Sequence, residues 1–249
     1  MPHFFIKPSN ISNGVFIMDD EQVHYLAKVR RVKAGDEIMI FDGQGNSYRC
    51  QITSVSKKEI SGKILSASFT PQEFEINLYV AIPKGDRFGW LIEKCAELGV
   101  LALCAINTAR SVKTELSKSK LDHLNKISIA ASSQCGRSDI MKISPAIDFD
   151  LALKQSSDKK GFINIVPWEG EESCLISDLQ QGNKPMSVNI FIGPEGGFEN
   201  KEIERVKALG FKTVTLGKNI LRVETAALTT AVLITFINNS CTIKRRRKK

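Results

Sequence analysis

From residue 76 onward the chain alternates short apolar runs with amphipathic helical stretches, and this alternation constrains the fold more than any other feature. "INLYVAI", "LALCAI" and "FINIVP" read as strands, and "RFGWLIEKCAELG" and "KLDHLNKISIAASSQ" read as helices between them. In the first helix Phe88, Leu91, Ile92 and Cys95 recur at i, i+3, i+4 and i+7, one face of a 3.6-residue period, and Gly99 stands where the helix should stop. Strands and helices in this order predict a parallel sheet covered by helices, an α/β fold. Further on, "VNIFI" is a strand, and Ile203, Val206 and Leu209 mark a helix ended by Gly210. "TVTL" is then a strand, "GKNILRV" a loop and "ETAALTTAVLITFI" a helix apolar on most sides, which is buried or lies in an interface.

Up to about residue 70 the rhythm differs. "DEIMIFDGQGNSYRCQI" predicts two strands around the turn Asp42 to Gly45, a hairpin, and "EISGKILSASF" another strand. Such a segment suits a small β-barrel. "FTPQEFE", with Pro71, reads as a linker. The expected organisation is a barrel over residues 1–71, an α/β domain over 72–243 and a basic tail over 244–249.

Composition narrows the function classes. At 42% apolar and 25% charged residues the chain suits a folded globular protein, and the N-terminal "MPHFFIKPSN" lacks the apolar core of a signal peptide. No apolar run is long enough for a membrane span, so a cytoplasmic location without a membrane role is expected. Cysteines 50, 95, 104, 135, 174 and 241 form no CxxC pair, and His3, His24 and His123 do not cluster with them. Reduced, mostly buried thiols and no metal site are expected. A net charge of +8 favours a polyanionic partner, but the tail "KRRRKK" carries six of those charges, leaving +2 for the rest. The tail reads as a solvated end or as a phosphate-binding arm.

Two strands end in glycine turns, "GPEGGFENKE" from Gly193 and "LGKNILRVETA" at Gly217. In an open parallel sheet, ligands bind beyond the carboxyl ends of strands, so both loops can border one pocket. Neither is a P-loop nor a dinucleotide fingerprint, and Glu195 and Glu199 oppose phosphate. The glycines suit either close backbone approach to a flat, uncharged or cationic group, or simply a tight turn. Ile220 and Leu221 pack on a ring system or cap the core. Arg222 and Glu224 are polar members of a site or a surface pair.

"IGPEGGFENKEIERVKALGFKTVTLGKNILRVETAAL" closely resembles the C-terminal signature of the RsmE family, the 16S ribosomal RNA uridine N3-methyltransferases of the SPOUT superfamily. The likeness extends to "PKGDRFGWLIEKCAELGV", "ARSV" and "AASSQCGR", and "HYLAKVRRVKAGDEIMIFDGQG" is similar to the family's PUA-like barrel. The resemblance implies S-adenosylmethionine as methyl donor, a C-terminal trefoil knot around it, a homodimer with active sites at the interface, and 16S rRNA within the small ribosomal subunit as substrate. It makes Ile192, Gly193, Gly196 and Gly197 the first cofactor loop, completed by Leu216, Gly217, Ile220, Leu221 and Ala226. It brings Arg222 and Glu224 nearest the chemistry: Arg222 stabilises charge on the uracil oxygens as N3 loses its proton, and Glu224 orients Arg222 or accepts that proton.

The resemblance also implies that RNA is met by Arg31, Arg110 and Arg137, the basic positions that match family motifs, with Lys28 and Lys33 adding nonspecific phosphate contacts; alternatively the lysines are only solvated, and Arg110 and Arg137 bond loop carbonyls. Arg30 in "VRR", Ala109 in "NTARS" and the absence of a proline in "SDIMKISP" depart from the family pattern. Two other readings stand beside this one: a SPOUT methyltransferase acting on another RNA or atom, and a noncatalytic RNA-binding protein, against which "GPEGGF" and "ILRVETA" argue.

Overall fold

The structure, a computed structural model, describes residues 3–19, 21–113, 115–179 and 186–246. The end of the basic tail, 247–249, lies outside the described residues, as do the side chains from 241 on. The chain forms two compact units: Met1–Pro71 with Ile129–Ile140, and Gln72–Ser128 with Met141–Lys249. The α/β unit is therefore not continuous in sequence between 72 and 243.

The first unit holds β1 (His3–Phe5), β2 (Ile11–Ser12), β3 (Val15–Met18), β4 (Glu37–Phe41), β5 (Asn46–Val55) and β6 (Ile60–Phe69), in the order β1-β4-β5-β6-β3-β2. The expected hairpin is β4–β5, with Asp42 fixing the turn: its Oδ1 accepts the Gln44 and Asn46 N–H groups at 2.8 and 3.1 Å. Two register shifts along β5–β6 bend these long strands around a core of Phe16, Leu26, Ile40, Ile52 and Ile60. Among the described residues the ladders form one curled sheet without pairing between β1 and β2, in the segment expected as a small β-barrel. Between β3 and β4, helix α1 (Glu21–His24) runs on as a π-helix over Tyr25–Arg30 and stops at Arg31, whose φ is 53°.

The second unit is a six-stranded sheet, all its ladders parallel. Its strands are β7 (Ile76–Ala81), β8 (Ala102–Asn107), β9 (Lys142–Asp148), β10 (Phe162–Pro167), β11 (Ser187–Ile192) and β12 (Lys212–Val214), in the order β12-β10-β11-β7-β8-β9. Helices α2 (Arg87–Glu97), α3 (Lys118–Cys135), α4 (Phe149–Ser157), α5 (Asn200–Ala208) and α6 (Val223–Arg246) connect or follow them. The periodic face of α2 is the buried one, Phe88, Leu91, Ile92 and Cys95. α5 buries Ile203 and Val206 but ends before Leu209, which is about half exposed. β9 and α4 went unread in the sequence. β9 is an edge strand, mostly exposed and carrying Pro145, and a proline is tolerated where one side of the strand needs no partner.

β11 is covered on both faces and reads as an apolar run, with one exception. Asn189, fully buried, lies directly across from Asn77 on β7 and Asn164 on β10. Its Oδ1 accepts from Asn77 Nδ2 at 2.9 Å, and its Nδ2 donates to Asn164 Oδ1 at 2.7 Å. This amide ladder fixes the register of three strands, since a slip would set each amide against apolar neighbours. α6 packs back on α2, β7 and β11, burying Val223, Ala227, Ala231, Ile234 and Asn238. Asn238 accepts from the Met186 N–H and donates to its carbonyl, both at 2.9 Å, pinning α6 beside the start of β11. The opposite face of α6 leaves Val232, Leu233 and Phe236 exposed.

Five cysteines are described and free: Cys50 and Cys95 are buried, Cys104 and Cys174 half-buried and Cys135 exposed, fewer buried thiols than expected. Burial pushes Cys50 and Cys95 up to about 12 and Cys104 to about 11, so these three are poor nucleophiles.

Candidate active site

β10, β11 and β12 are parallel neighbours, so the loops after Pro167, Ile192 and Val214 leave the same edge of the sheet. After β12, Leu216, Gly217, Ile220 and Leu221 line a cleft of about 80 Å³ together with Thr215 and Asn219. Pro167, Trp168 and Glu169 after β10 and Ala226 in the first turn of α6 complete it. Five residues expected at the cofactor site, Leu216, Gly217, Ile220, Leu221 and Ala226, thus share one cleft. Ile220 forms an open flank, 86% exposed, and does not cap the core. None of the lining residues is a lysine or arginine.

Ile192, Gly193, Gly196 and Gly197 form the neighbouring turn and are not part of this lining. Gly197 reaches the cleft through Glu169: its φ is +69°, and a Cβ there would collide with the Glu169 carboxylate. A left-handed residue without room for a side chain suits glycine alone. A Cβ on Gly193 would fall 2.9 Å from the Phe198 ring, which is buried and stacks on Phe149 at 5.1 Å. Packing against Phe198 therefore calls for Gly193 and the left-handed backbone calls for Gly197, and close approach of a ligand is a second use of the same turn.

The loop after β10 was not anticipated, although "PWEGEES" follows a strand that ends on the same edge. Glu171 organises it, accepting from Thr213 Oγ1 at 2.6 Å, from the Ser173 hydroxyl and N–H, and from the Cys174 N–H. The Thr213 and Ser173 hydroxyl bonds, then the two backbone bonds, hold its carboxyl down at about 2. Trp168 N–H donates to Val214 O at 3.1 Å, and Thr215 N–H to Cys174 O at 2.9 Å, so this loop and the end of β12 are tied together around the cleft.

Glu202 was also missed. It is buried at the start of α5, where its Oε2 accepts the Glu199 N–H at 2.8 Å and its Oε1 accepts the Ala109 N–H at 2.9 Å. The first bond is one arm of a capping box, disguised in sequence by a glutamate rather than a serine or threonine at the cap. The second holds the segment carrying Arg110 against the glycine turn. Arg110 Nη1 donates to Gly196 O at 2.8 Å, the carbonyl-bonding alternative raised for this residue. Arg137 pairs in two-point fashion with Asp139, Nη2–Oδ2 2.6 Å and Nε–Oδ1 3.1 Å. Both guanidinium groups are committed within the chain, whereas Lys28, Arg31 and Lys33 are exposed.

Arg222 is exposed beside Leu221, and among the described residues it makes no ion pair. Glu224 is buried and pairs with Arg87 at 3.3 Å, not with Arg222, so the sequence neighbours are not a surface pair and Glu224 does not orient Arg222. The reason is helical: Glu224 lies in the first turn of α6, facing the start of α2, while Arg222 precedes the helix. On the glycine turn, Glu195 Oε1 accepts the Lys84 N–H at 3.1 Å. Burial raises the Glu195 carboxyl, but that bond and the charges of Lys84 and Arg87 outweigh it and leave it below the usual range.

A family model for the RNA methyltransferase domain matches residues 70–235, and one for the RNA methyltransferase PUA domain matches residues 18–65. The ribosomal RNA small subunit methyltransferase E of Bacillus subtilis is 31% identical over 230 residues, covering 86% of each chain. The chain belongs to the ribosomal RNA small subunit methyltransferase E family. The Rickettsia conorii member is 28% identical over 236 residues, covering 92% of this chain and 93% of that protein. Among solved structures, the family member from Neisseria gonorrhoeae, bound to S-adenosyl methionine, superposes with a TM-score of 0.84 at 29% identity, covering 95% of this chain and 98% of that one. A methyltransferase from Legionella pneumophila in complex with the same cofactor has a TM-score of 0.79 at 28% identity, covering 94% and 96%. The family assignment makes the curled N-terminal sheet a PUA domain and the chain an RNA methyltransferase. Among the described residues no group of three or more His, Cys, Asp or Glu could hold a metal ion, and no helix is long and apolar enough to cross a membrane.

Proposed function

We propose that the chain transfers a methyl group from S-adenosylmethionine to N3 of a uridine in 16S ribosomal RNA of the small subunit. The observation that carries this reading is the cleft where the loops after β10 and β12 meet the first turn of α6. The cleft has room for only part of the cofactor, and its lining suits that part chemically: apolar side chains suit an adenine ring, backbone groups suit its edge, and a lone carboxylate with no cation suits a cationic ligand rather than a phosphate. When bound, S-adenosylmethionine supplies an electrophilic methyl group on that sulfonium.

The chain's own residues do the rest. Ile220, Leu221 and Glu169, which line the cleft, would hold the cofactor, the first two against its ring and the carboxylate toward a hydroxyl or ammonium. The turn Ile192–Gly197 brings backbone close to the ligand. Uridine N3 is a poor nucleophile until its proton leaves, and Arg222, exposed at the mouth, stabilises the negative charge that spreads to the uracil oxygens. Glu224 acts through Arg87, ordering the start of α2, and the imide proton passes to solvent.

The active form is a cytoplasmic homodimer, a reading supported by the exposed Val232, Leu233 and Phe236 on α6. The C-terminal segment forms a trefoil knot, a reading supported by β12 pairing with β10 on the side away from β11 while α6 returns over β11 and β7. Lys28 and Arg31 contact RNA phosphates; Arg110 and Arg137 first brace their own loops and offer RNA only their outer edges.

The test is methyl transfer from labelled S-adenosylmethionine to small ribosomal subunits lacking the modification, with the base identified by mass spectrometry and reverse-transcription stops. A single 3-methyluridine in 16S rRNA is expected. Transfer to another base or RNA replaces the target, and absence of both transfer and cofactor binding leaves a noncatalytic RNA-binding protein.

A further inference from the structure

A second cleft in the α/β unit, about 380 Å³, lies between the loop after β7 and the start of α3, and none of the residues considered so far as cofactor or catalytic groups lines it. Part of its lining is apolar: Ile82, Phe88, Leu116 and Leu124. Two carboxylates, Asp86 and Glu115, and two basic groups, Lys120 and His123, stand among its walls. We infer that this cleft binds an unpaired pyrimidine nucleotide of the RNA substrate; the inference rests on the proposed reaction and adds the place where the nucleotide is held.

The chemistry of the walls selects the ligand. An apolar lining buries the faces of a base, as stacking sites for unpaired nucleotides do. Along the pairing edge of uracil an N–H donor lies between two carbonyl acceptors; the carboxylates of Asp86 and Glu115 can accept from the first, and Lys120 and His123 can donate to the second. A bare phosphate would meet both carboxylates, and the acids and histidine here are not among groups able to hold a metal. The volume falls in the range of small-ligand sites.

Two contacts join this cleft to the cofactor side of the unit. Lys84, beside the lining residue Gly85, donates its N–H to Glu195 on the glycine turn at 3.1 Å. Arg87, between the lining residues Asp86 and Phe88, pairs with Glu224, two residues from Ala226 of the cofactor cleft. The segment Ile82–Gly89 therefore borders one cleft and is bonded to the glycine turn and to the first turn of α6, which neighbour the other. A nucleotide must leave its stack to expose N3, and a slot beside the cofactor compensates that cost.

The test uses the full chain with Leu116→Trp, which fills the cleft, and His123→Ala, which opens its rim. Cofactor affinity by calorimetry and the thermal melting curve serve as controls for folding, and Leu116→Met as the conservative variant. Expected are a loss in kcat/KM for small ribosomal subunits of about tenfold or more in Leu116→Trp, cofactor affinity within about twofold, and near-normal transfer in Leu116→Met. In parallel, rRNA fragments carrying 4-thiouridine at the target or at either neighbour are photocrosslinked and the peptides mapped. Crosslinks to 115–124 are expected, and the position that gives them tells whether the target or its neighbour occupies the cleft. Turnover unchanged in Leu116→Trp, or crosslinks from all three positions that avoid 82–89 and 115–124, would overturn the inference while leaving the methyltransfer reading intact. Wild-type protein that crosslinks to this cleft yet transfers no methyl group would instead refute the reaction and retain the site.

Discussion

Replacing Asn189 by leucine tests the amide ladder on which the geometry of the sheet rests. The two side chains share a branched shape of equal heavy-atom count, so the change removes polarity while adding the bulk of two methyl groups. Asn77, itself buried, loses the acceptor of its Nδ2, and Asn164 loses the donor to its Oδ1. Leaving a buried donor or acceptor unpaired costs about 1–3 kcal/mol each, so Asn189→Leu is expected to destabilise by about 2–6 kcal/mol. Asn164 is only half-buried, so solvent can reach its orphaned Oδ1, which places the acceptor side of the loss at the lower end.

The reasoning makes a sharper demand as well. If unsatisfied polarity is the cause, Asn77→Leu/Asn164→Leu/Asn189→Leu should recover most of the loss, because replacing all partners by apolar groups leaves nothing unpaired. The assay is urea unfolding followed by circular dichroism, with amide hydrogen exchange resolved over β7, β10 and β11 because two compact units need not unfold together. A single variant within about 0.5 kcal/mol of wild type, or a triple variant no more stable than the single, would refute the argument.

Gly197→Ala adds a Cβ at φ +69°, where it meets the Glu169 carboxylate; a backbone penalty of about 1–2 kcal/mol and an about tenfold or greater loss of cofactor affinity are expected, read from the melting temperature and calorimetry. Arg222→Ala should lower kcat by about 100-fold or more with cofactor affinity within about twofold, measured by single-turnover methyl transfer; near-normal turnover sinks the charge-stabilising role. Glu171 has a carboxyl held at about 2 against an ordinary value of 4.5, so its contribution is fully present above pH 4.5 and is lost as pH falls from there through about 2. The gap in urea midpoint between wild type and Glu171→Gln should therefore narrow across that window, and a gap constant with pH refutes the assignment.

Local chemistry determined much of this protein from sequence. The 3.6-residue face of α2, the apolar runs of β7, β8, β10 and β11, and the hairpin turn at Asp42 were legible because each is a pattern of neighbours. Leu216, Gly217, Ile220, Leu221 and Ala226 were singled out by their motif, and the structure gathers them around one cleft. What was not legible depends on contacts far apart in the chain. β9 hid because an edge strand need not be apolar, and Ile129–Ile140 belong to the first compact unit although they lie within the span read as α/β. The partner of Glu224 could not be read from its neighbour Arg222, because the start of α6 turns its carboxylate toward Arg87 on α2, and only packing brings those helices together. The same holds for Glu171, Glu202 and the Asn77–Asn189–Asn164 ladder. Each is a polar group whose role exists only once distant backbone or side-chain groups meet it, and for the buried Glu202, Asn77 and Asn189 the fold must supply those partners because water does not.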